Sequence, residues 1–147
     1  MGNKQASQTQ RELDAVYEVS KTLATSLDVS KTFRESLNYL IHAFDWRRAF
    51  VVVSDSNGVL RGLCAIGLSR DEQQRLQFSS GEGIVGHVYA SGIPAIVPDV
   101  RSEPLFLKRT GGADQSPGVE VAMLVTPIRA DRRTLGVLAI DCLNPNE

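Results

Sequence analysis

The chain has 147 residues, which is about one domain's worth and enough to bury a single apolar core. Its 16 basic and 17 acidic residues give a net charge of −1, so bulk charge favours neither nucleic acid nor a membrane surface as a partner. The sequence contains no apolar run of membrane-spanning length and no signal peptide, and its cysteines, Cys64 and Cys142, form no CxxC motif. These features predict a cytoplasmic, single-domain protein with reduced cysteines. No cofactor is predicted.

The first third of the chain predicts a polar tail followed by two amphipathic helices. Residues 1–10 hold few apolar side chains and predict a flexible tail. A first helix is expected over residues 11–26 and a second after a cap at Asp28 or Ser30, because apolar residues there recur every three or four positions. Near-heptad spacing in the first helix predicts pairing with a second copy of the chain. That stripe consists of Leu13, Val16, Ser20, Leu23 and Leu27, with Tyr17 and Ala24 beside it.

The periodicity then changes to that of β strands, with two short helices between them. Hairpins at both ends of this region predict an antiparallel sheet, and therefore an α+β fold with helices packed on one sheet. The expected elements are a strand over 48–55, a turn at Asn57-Gly58, a strand over 59–67, a helix over 70–78 capped by Ser69, a helix over 84–91 ending at Gly92, an edge strand over 94–98, and a closing hairpin over 120–129 and 134–141.

Residues 99–118 show neither helical nor strand periodicity, which is unusual for so long a stretch in a compact domain. Such loops are usually functional lids or disordered, and the large apolar side chains of this one argue against disorder. The apolar cluster around Leu105 and Phe106 predicts that the segment closes over a pocket on the sheet. The segment also carries the basic residues Arg101, Lys108 and Arg109. We expect Arg109 to provide the positive charge that pairs with an acidic ligand.

Three glycines before the second short helix spell G-x-G-x-x-G, at Gly81, Gly83 and Gly86. Asp99 follows at a spacing close to that of a dinucleotide site, but a polar, helix-like stretch precedes the glycines where that motif needs a buried strand. We therefore expect the glycines to satisfy tight backbone angles at a helix entry. The N–H groups of residues 83–85 could still hold a carboxylate or a phosphate.

The other chemically active side chains give weaker signals. His42 is expected to be solvated or at the edge of the core, and His87 could face a pocket beside the glycines. The two histidines are far apart with no clustered carboxylates, so no metal site is predicted. Cys64 and Cys142 are expected to be small buried hydrophobic residues, with a thiol–histidine pair left as an alternative. The charged hairpin tip at residues 129–133 is expected to be solvated.

Four stretches of the sequence resemble the GAF domain family of small-molecule sensors. "GEGIVGHVYASGIPAIVPDVRSEPLF" is the most specific, and "SEPLFLKRTG" is similar in particular to the sensor domains of Nif-specific regulatory proteins and related enhancer-binding transcriptional activators. The others are "ELDAVYEVSKTLATSLDVSKTFRESLNYLIHAF", "RRAFVVVSD" and "MLVTPIRADRRTLGVLAIDCL". Together they assign residues 11–143 to the domain. Residues 144–147 are expected to begin a linker to a downstream ATPase and DNA-binding region that this chain does not contain.

The resemblance implies a six-stranded antiparallel sheet, a pocket roofed by the short helices and the long loop, and a homodimer formed through terminal helices. It also implies regulation rather than catalysis. The signature residues of the cyclic-nucleotide-binding, bilin-binding and methionine-sulfoxide-reducing members are missing, so the ligand stays open. Sensors of the activator group bind 2-oxoglutarate or other small anions, carry iron, or respond to a partner protein.

The leading hypothesis is therefore a non-enzymatic sensor of a small anionic metabolite or a regulatory protein, without direct contact to nucleic acid or membrane. The alternatives are a ligand-free dimerisation and signal-relay module, or a small thiol-based redox enzyme. We predict no catalytic and no metal-binding residues. The predicted ligand-binding residues are Gly83, Ile84, Val85, His87, Asp99, Leu105, Phe106 and Arg109.

Overall fold

A computed structural model of the chain describes residues 2–25, 28–104 and 121–143. Helices and strands follow one another in the predicted order, except that a short strand separates the two short helices. The elements are α1 (Gly2–Thr25), α2 (Val29–Phe44), β1 (Arg48–Ser54), β2 (Leu60–Ile66), α3 (Arg70–Gln74), β3 (Gln77–Phe78), α4 (Gly83–Ser91), β4 (Ala95–Val97), a 3₁₀ turn (Val100–Ser102), β5 (Val121–Ala130) and β6 (Arg133–Leu143).

The strands form one six-stranded sheet in the order β3-β2-β1-β6-β5-β4. Every neighbouring pair is antiparallel, and β1 and β6 are central, with Val51 opposite both Cys64 and Leu138. The short strands β3 and β4 form the two edges, as the bracketing prolines predict for β4. The predicted α+β class and the antiparallel sheet are confirmed.

Helices cover both sides of the sheet, and we name the sides after them. On the α2 face, Leu37 and Ile41 of α2 pack with Ala49, Val51 and Ile140 of the sheet. The α4 face is larger, and its buried residues from the sheet and from α4 form one continuous cluster. That cluster includes Phe50, Val52, Phe78, Val125 and Val137 from the strands, Ile84, Val85 and Val88 from α4, and Val100 from the 3₁₀ turn.

Side-chain caps fix the starts of α2 and α3. The carboxylate of Asp28 accepts a hydrogen bond from the Lys31 N–H at 3.0 Å, which confirms Asp28 as the N-cap of α2. Ser69 and Glu72 form a reciprocal capping box, so Ser69 starts α3 as predicted.

The predicted extent of the helix over residues 70–78 is wrong. The helix α3 ends at Gln74, and Gln77–Phe78 form the edge strand β3 against Leu60 and Arg61. Burial explains the change of structure, because Leu76 and Phe78 are each only 4% exposed and both belong to the core of the α4 face. A continued exposed helix would have left them in water.

The predicted start of the first helix is also wrong, because α1 begins at Gly2 and not at residue 11. Hydrogen bonds between side chains one turn apart support this polar stretch, from Gln8 to Glu12 at 3.3 Å and from Gln10 to Asp14 at 2.8 Å. Farther along, Arg11 donates to the carbonyl oxygen of Ala43 and so fastens α1 to the end of α2.

A buried ion pair, which the sequence patterns do not reveal, connects β1 to β6. Arg48 and Asp141 are 5% and 6% exposed, and Arg48 Nε donates to Asp141 Oδ2 at 3.0 Å. A second nitrogen, Nη2, donates to the same oxygen at 2.5 Å, and Glu72 of α3 lies 3.9 Å from Nη1. The pair thus joins the start of β1, the end of β6 and the capping box of α3.

In the described part of the long loop, Asp99 caps the 3₁₀ turn, a short element that the sequence did not predict. Residues 105–120 lie outside the described part of the chain. The closing hairpin is confirmed, with β6 reaching Leu143 instead of Asp141. Among the described helices, none is long and apolar enough to cross a membrane.

Candidate functional site

The glycine motif forms a tight loop that leads into α4. Gly81 and Gly83 have φ angles of 80° and 65°, in the left-handed region that favours glycine. The strand before the loop is β3, a two-residue edge strand, and the sheet is antiparallel. Both observations support the interpretation of the glycines as backbone requirements, and the parallel-sheet context of a dinucleotide site is missing.

Gly86 serves a different purpose, because it allows two stretches of backbone to touch. A Cβ atom on Gly86 would lie 2.3 Å from the carbonyl oxygen of Ser79 and 3.1 Å from the nitrogen of Gly81. Hydrogen bonds from Gly81 N–H to Gly86 O, and from Gly86 N–H to Glu82 O, both 2.9 Å long, close the loop onto the helix. The loop and the first turns of α4 therefore form one rigid unit.

The N-terminal end of α4 has no side-chain cap. Glu82 occupies the N-cap position, but its carboxylate accepts a hydrogen bond from the Ser79 N–H at 2.9 Å and none from the helix. The first N–H groups of a helix have no partner within the helix and carry a partial positive charge. The N–H groups of Gly83, Ile84 and Val85 are thus the polar groups that α4 offers to an anion.

The side chains of the predicted site residues around α4 point in different directions. Ile84 and Val85 are buried in the core of the α4 face, at 6% and 3% exposure, so they offer a ligand their backbone N–H groups. His87 lies on the exposed side of α4. Val100 belongs to the same buried cluster as Ile84, so the structure brings the start of the long loop to the α4 face.

Asp99 is already engaged by its neighbours. Its carboxylate accepts hydrogen bonds from the N–H and the Nε of Arg101, at 3.0 and 3.1 Å. These bonds, those to the Arg101 side chain first, hold the pKa of Asp99 below its usual value. An ionised carboxylate with these partners fixes the beginning of the long loop. The remaining predicted site residues, Leu105, Phe106 and Arg109, lie outside the described residues.

A polar groove of about 360 Å³ lies next to the glycine loop, and among the described residues its lining includes a cation that sequence analysis did not single out. Its lining includes Ser79 and Glu82 of the loop, and Arg75, which follows α3. Gln74 and Gln77 complete the wall. In the sequence, Arg75 stands out only by its position a few residues before the glycines. A basic residue at such a spacing is too common to indicate a site.

The side chains of Cys64, Cys142 and His42 do not line the groove beside the glycine loop. Cys64 is on the α2 face, and desolvation by burial raises its pKa. Burial also raises the pKa of Cys142, whose Sγ is 3.8 Å from the carbonyl oxygen of Ala122. A nucleophilic cysteine needs the opposite shift. His42 is exposed, and its Nδ1 lies 2.7 Å from the carbonyl oxygen of Asn38. Over the described ranges, no three His, Cys, Asp or Glu side chains are grouped to hold a metal ion.

Comparison with known proteins gives a consistent family match. The GAF domain family model matches residues 28–147. Two Nif-specific regulatory proteins are similar over most of the chain: that of Azospirillum lipoferum is 39% identical over 140 residues, or 95% of this chain, and that of Herbaspirillum seropedicae is 40% identical over 129 residues, or 88%. The chain spans only 22% and 24% of the length of these two relatives.

A solved structure shows the same fold. The GAF domain of A. aeolicus nlh2, described as being in an inactive state, superposes with a TM-score of 0.82 at 25% sequence identity. The match covers 94% of this chain and 83% of that one. The six-stranded sheet with helices on both faces is therefore a GAF fold.

Proposed function

Because the chain belongs to the GAF domain family, we propose that it is the sensor domain of a transcriptional activator of the Nif-specific regulatory type. Such a domain passes the binding of a ligand or a partner to an ATPase and a DNA-binding region elsewhere in the protein. The observation that carries the proposal is the identity of 39–40% to Nif-specific regulatory proteins over most of the chain. A regulator of this kind acts in the cytoplasm.

We place the ligand site at the start of α4, on the α4 face of the sheet. The uncapped N–H groups of Gly83, Ile84 and Val85 would bind one carboxylate of a small dicarboxylate such as 2-oxoglutarate. Arg109 would supply the opposing positive charge, and Leu105 and Phe106 would close the apolar side as a lid. Asp99 would fix the start of that lid through its bonds to Arg101, and His87 would lie at the rim.

Gly83→Val tests this site. The φ of 65° at Gly83 is strained for a β-branched residue, so we expect a loss of roughly 1–3 kcal/mol of stability. We also expect 2-oxoglutarate to bind at least about tenfold more weakly, as measured by calorimetry, which corresponds to about 1.4 kcal/mol. The matched control is Gly58→Val, because Gly58 has a φ of 78° in a turn with nothing within 4 Å of its Cβ position.

Equal weakening of 2-oxoglutarate binding by both substitutions would contradict the site, since the effect would then come from general destabilisation. A second readout is hydrogen exchange, in which bound ligand should slow exchange over residues 103–112 more than in the β5–β6 hairpin. Equal protection with and without 2-oxoglutarate would show that the long loop is not a lid.

We further propose that the chain forms a homodimer through α1. Leu13, Val16 and Tyr17 are 60–66% exposed, and of the α1 side chains at residues 4–20 only Ala15 is buried. An apolar groove of about 370 Å³ runs beside this stripe, between α1 and α2, and includes Leu40 and Phe44. A long helix with an exposed apolar stripe gains stability by packing against another helix. The side chains of Leu23 and Leu27, which belong to the predicted stripe, lie outside the described residues.

Sedimentation of the variant Val16→Glu tests the dimer. We expect a shift toward monomer, whereas Ser7→Glu, which adds the same charge to an exposed position off the stripe, should leave association unchanged. A wild-type monomer at high micromolar concentration would contradict the proposal. If the dimer forms but no small anion binds, the ligand-free relay module is the better interpretation.

We also propose that the chain is not an enzyme. Both cysteines have pKa values raised by burial, which lowers the thiolate fraction. Alkylation of the native protein should therefore be slow at both thiols. Rapid alkylation at neutral pH would favour the thiol-based redox alternative.

A further inference from the structure

The turn between β5 and β6 carries an unusual concentration of positive charge. We call residues 129–133 the β5–β6 tip; they are Arg129, Ala130, Asp131, Arg132 and Arg133, and all five are exposed. The pairing of β1 with β6 begins at Gly136, opposite Val53, so the tip extends past the neighbouring strand. Because the tip projects from a two-stranded ladder, a partner can approach it from several sides.

The charge of the tip is opposite to that of the rest of the protein. Its three arginines and one aspartate give a net charge of +2, whereas the whole chain carries −1, so the remaining residues sum to −3. A basic cluster on an otherwise acidic protein attracts and orients an acidic partner at that one place.

The three arginines of the tip also differ from other arginines of the protein in their partners. Arg61 and Arg101 pair with carboxylates of nearby residues, Asp55 at 2.8 Å and Asp99 at 3.1 Å. Over residues 2–25, 28–104 and 121–143, no carboxylate lies within 4.0 Å of Arg129, Arg132 or Arg133. The guanidinium groups of the tip are therefore available to carboxylates from another molecule.

The tip is held in a defined shape. Asp131 has a φ of 54°, which closes the turn between the paired residues Ala130 and Arg133. The Arg129 guanidinium lies beside the C-cap of α4, 3.7 Å from the position that a Cβ on Gly92 would occupy. The negative end of the helix dipole favours a cation there. Ile93, the next residue, is 67% exposed and offers an apolar contact beside the charges.

From these observations we infer that the β5–β6 tip is a docking surface for a short acidic segment of a partner protein. Guanidinium groups pair with carboxylates in bidentate geometry, and Ile93 would accept an apolar side chain of the same segment. Nucleic acid is disfavoured, because the pI of the chain is about 6.1 and the tip carries no aromatic residue on which a base could stack. This inference does not depend on the ligand site at α4.

The test is binding of a fluorescein-labelled oligoglutamate peptide, measured by anisotropy at low and at physiological ionic strength. The variant replaces Arg129, Arg132 and Arg133 by alanine. The control replaces three other exposed cations, Lys4, Arg34 and Arg70, by alanine and so removes the same charge. We expect the tip variant to weaken binding about tenfold or more and the control to change it by less than about twofold.

Thermal unfolding of both variants separates a binding effect from a folding effect, because exposed positions should leave the melting temperature nearly unchanged. No peptide binding by the wild-type chain, or equal weakening by the two triple variants, would overturn the inference. Tighter, tip-dependent binding of single-stranded oligodeoxythymidylate than of the peptide would overturn it in favour of nucleic acid.

Discussion

The two faces of the sheet are built in different ways. The α2 face is formed by large side chains of one amphipathic helix, with Leu37 and Ile41 packed against three sheet residues. The α4 face also has an apolar core, but its geometry depends on backbone contacts without side chains, such as the approach of Gly86 to Ser79. The α2 face is therefore a scaffold, whereas the α4 face presents backbone N–H groups at the edge of an apolar layer.

The largest expected effect comes from adding one methyl group to the α4 face. Gly86→Ala would place a Cβ 2.3 Å from a backbone oxygen, so the glycine loop must move away from α4. We expect a loss of more than about 3 kcal/mol, at the upper end of overpacking effects, measured by urea unfolding.

Gly81→Ala is the matched control for that prediction. Gly81 has a φ of 80° but nothing within 4 Å of its Cβ position, so the substitution adds backbone strain without a collision. Its cost should be about 1–2 kcal/mol. If Gly86→Ala were no more destabilising than Gly81→Ala, close backbone contact would not be what holds the glycine loop against α4.

The next effect concerns the buried charge. Successive side chains of a strand point to opposite faces of the sheet. Because Ala49 packs on the α2 face, the side chain of its neighbour Arg48 lies on the opposite side. Asp141→Asn would remove the nearest counter-charge of the buried Arg48 guanidinium and leave it the more distant Glu72 carboxylate, at a cost of about 3 kcal/mol.

Replacing both Arg48 and Asp141 tests whether the lost stability comes from an uncompensated buried charge. The double variant Arg48→Met, Asp141→Leu should recover most of the lost stability, because no buried charge remains. The comparison is made by urea unfolding of the three proteins. A double variant as unstable as the single one would mean that the pair contributes more than mutual neutralisation.

The smallest effect is expected at a turn that belongs to neither face. Asp55 accepts hydrogen bonds from the N–H groups of Asn57 and Val59, at 2.8 and 3.0 Å, and its hydrogen bond to Arg61 is the main cause of its lowered pKa. A lowered pKa stabilises the fold above the usual value of 3.8, and this contribution is lost as the pH falls through the lowered pKa.

Asp55→Asn should therefore reduce the melting temperature slightly at neutral pH. The difference from wild type should shrink as the pH drops below 3.8. A difference that stays constant across this range of pH would assign the effect to turn geometry and not to charge.

The sequence predicted the elements that local residue patterns determine, and it missed those that depend on contacts with distant parts of the chain. Helix α2, its cap at Asp28, the Gly92 stop and the closing hairpin follow from local spacing and turn chemistry, and the structure has them. The short strand β3 escaped prediction because its two residues are fixed by pairing with β2, far from them in sequence. The start of α1 was missed because polar residues with good helix propensity also occur in flexible tails.

The candidate site was predictable only in part, for the same reason. The glycines mark a tight helix entry by type and spacing, but whether they bind nucleotide depends on the strand before them. Arg48 and Asp141 are 93 positions apart, so no local pattern links them. Arg75 reaches the groove beside the glycine loop because α3 ends early, which itself depends on the burial of Leu76 and Phe78.

The most direct test of the central claim is a titration of the ¹⁵N-labelled chain with 2-oxoglutarate, followed by amide chemical shifts. We predict saturable shifts at Gly83, Ile84 and Val85, at the start of α4, with little change at Leu37 and Ile41 on the α2 face. Absence of saturable shifts at the start of α4, or larger shifts on the α2 face, would contradict the proposal that this helix terminus binds the ligand.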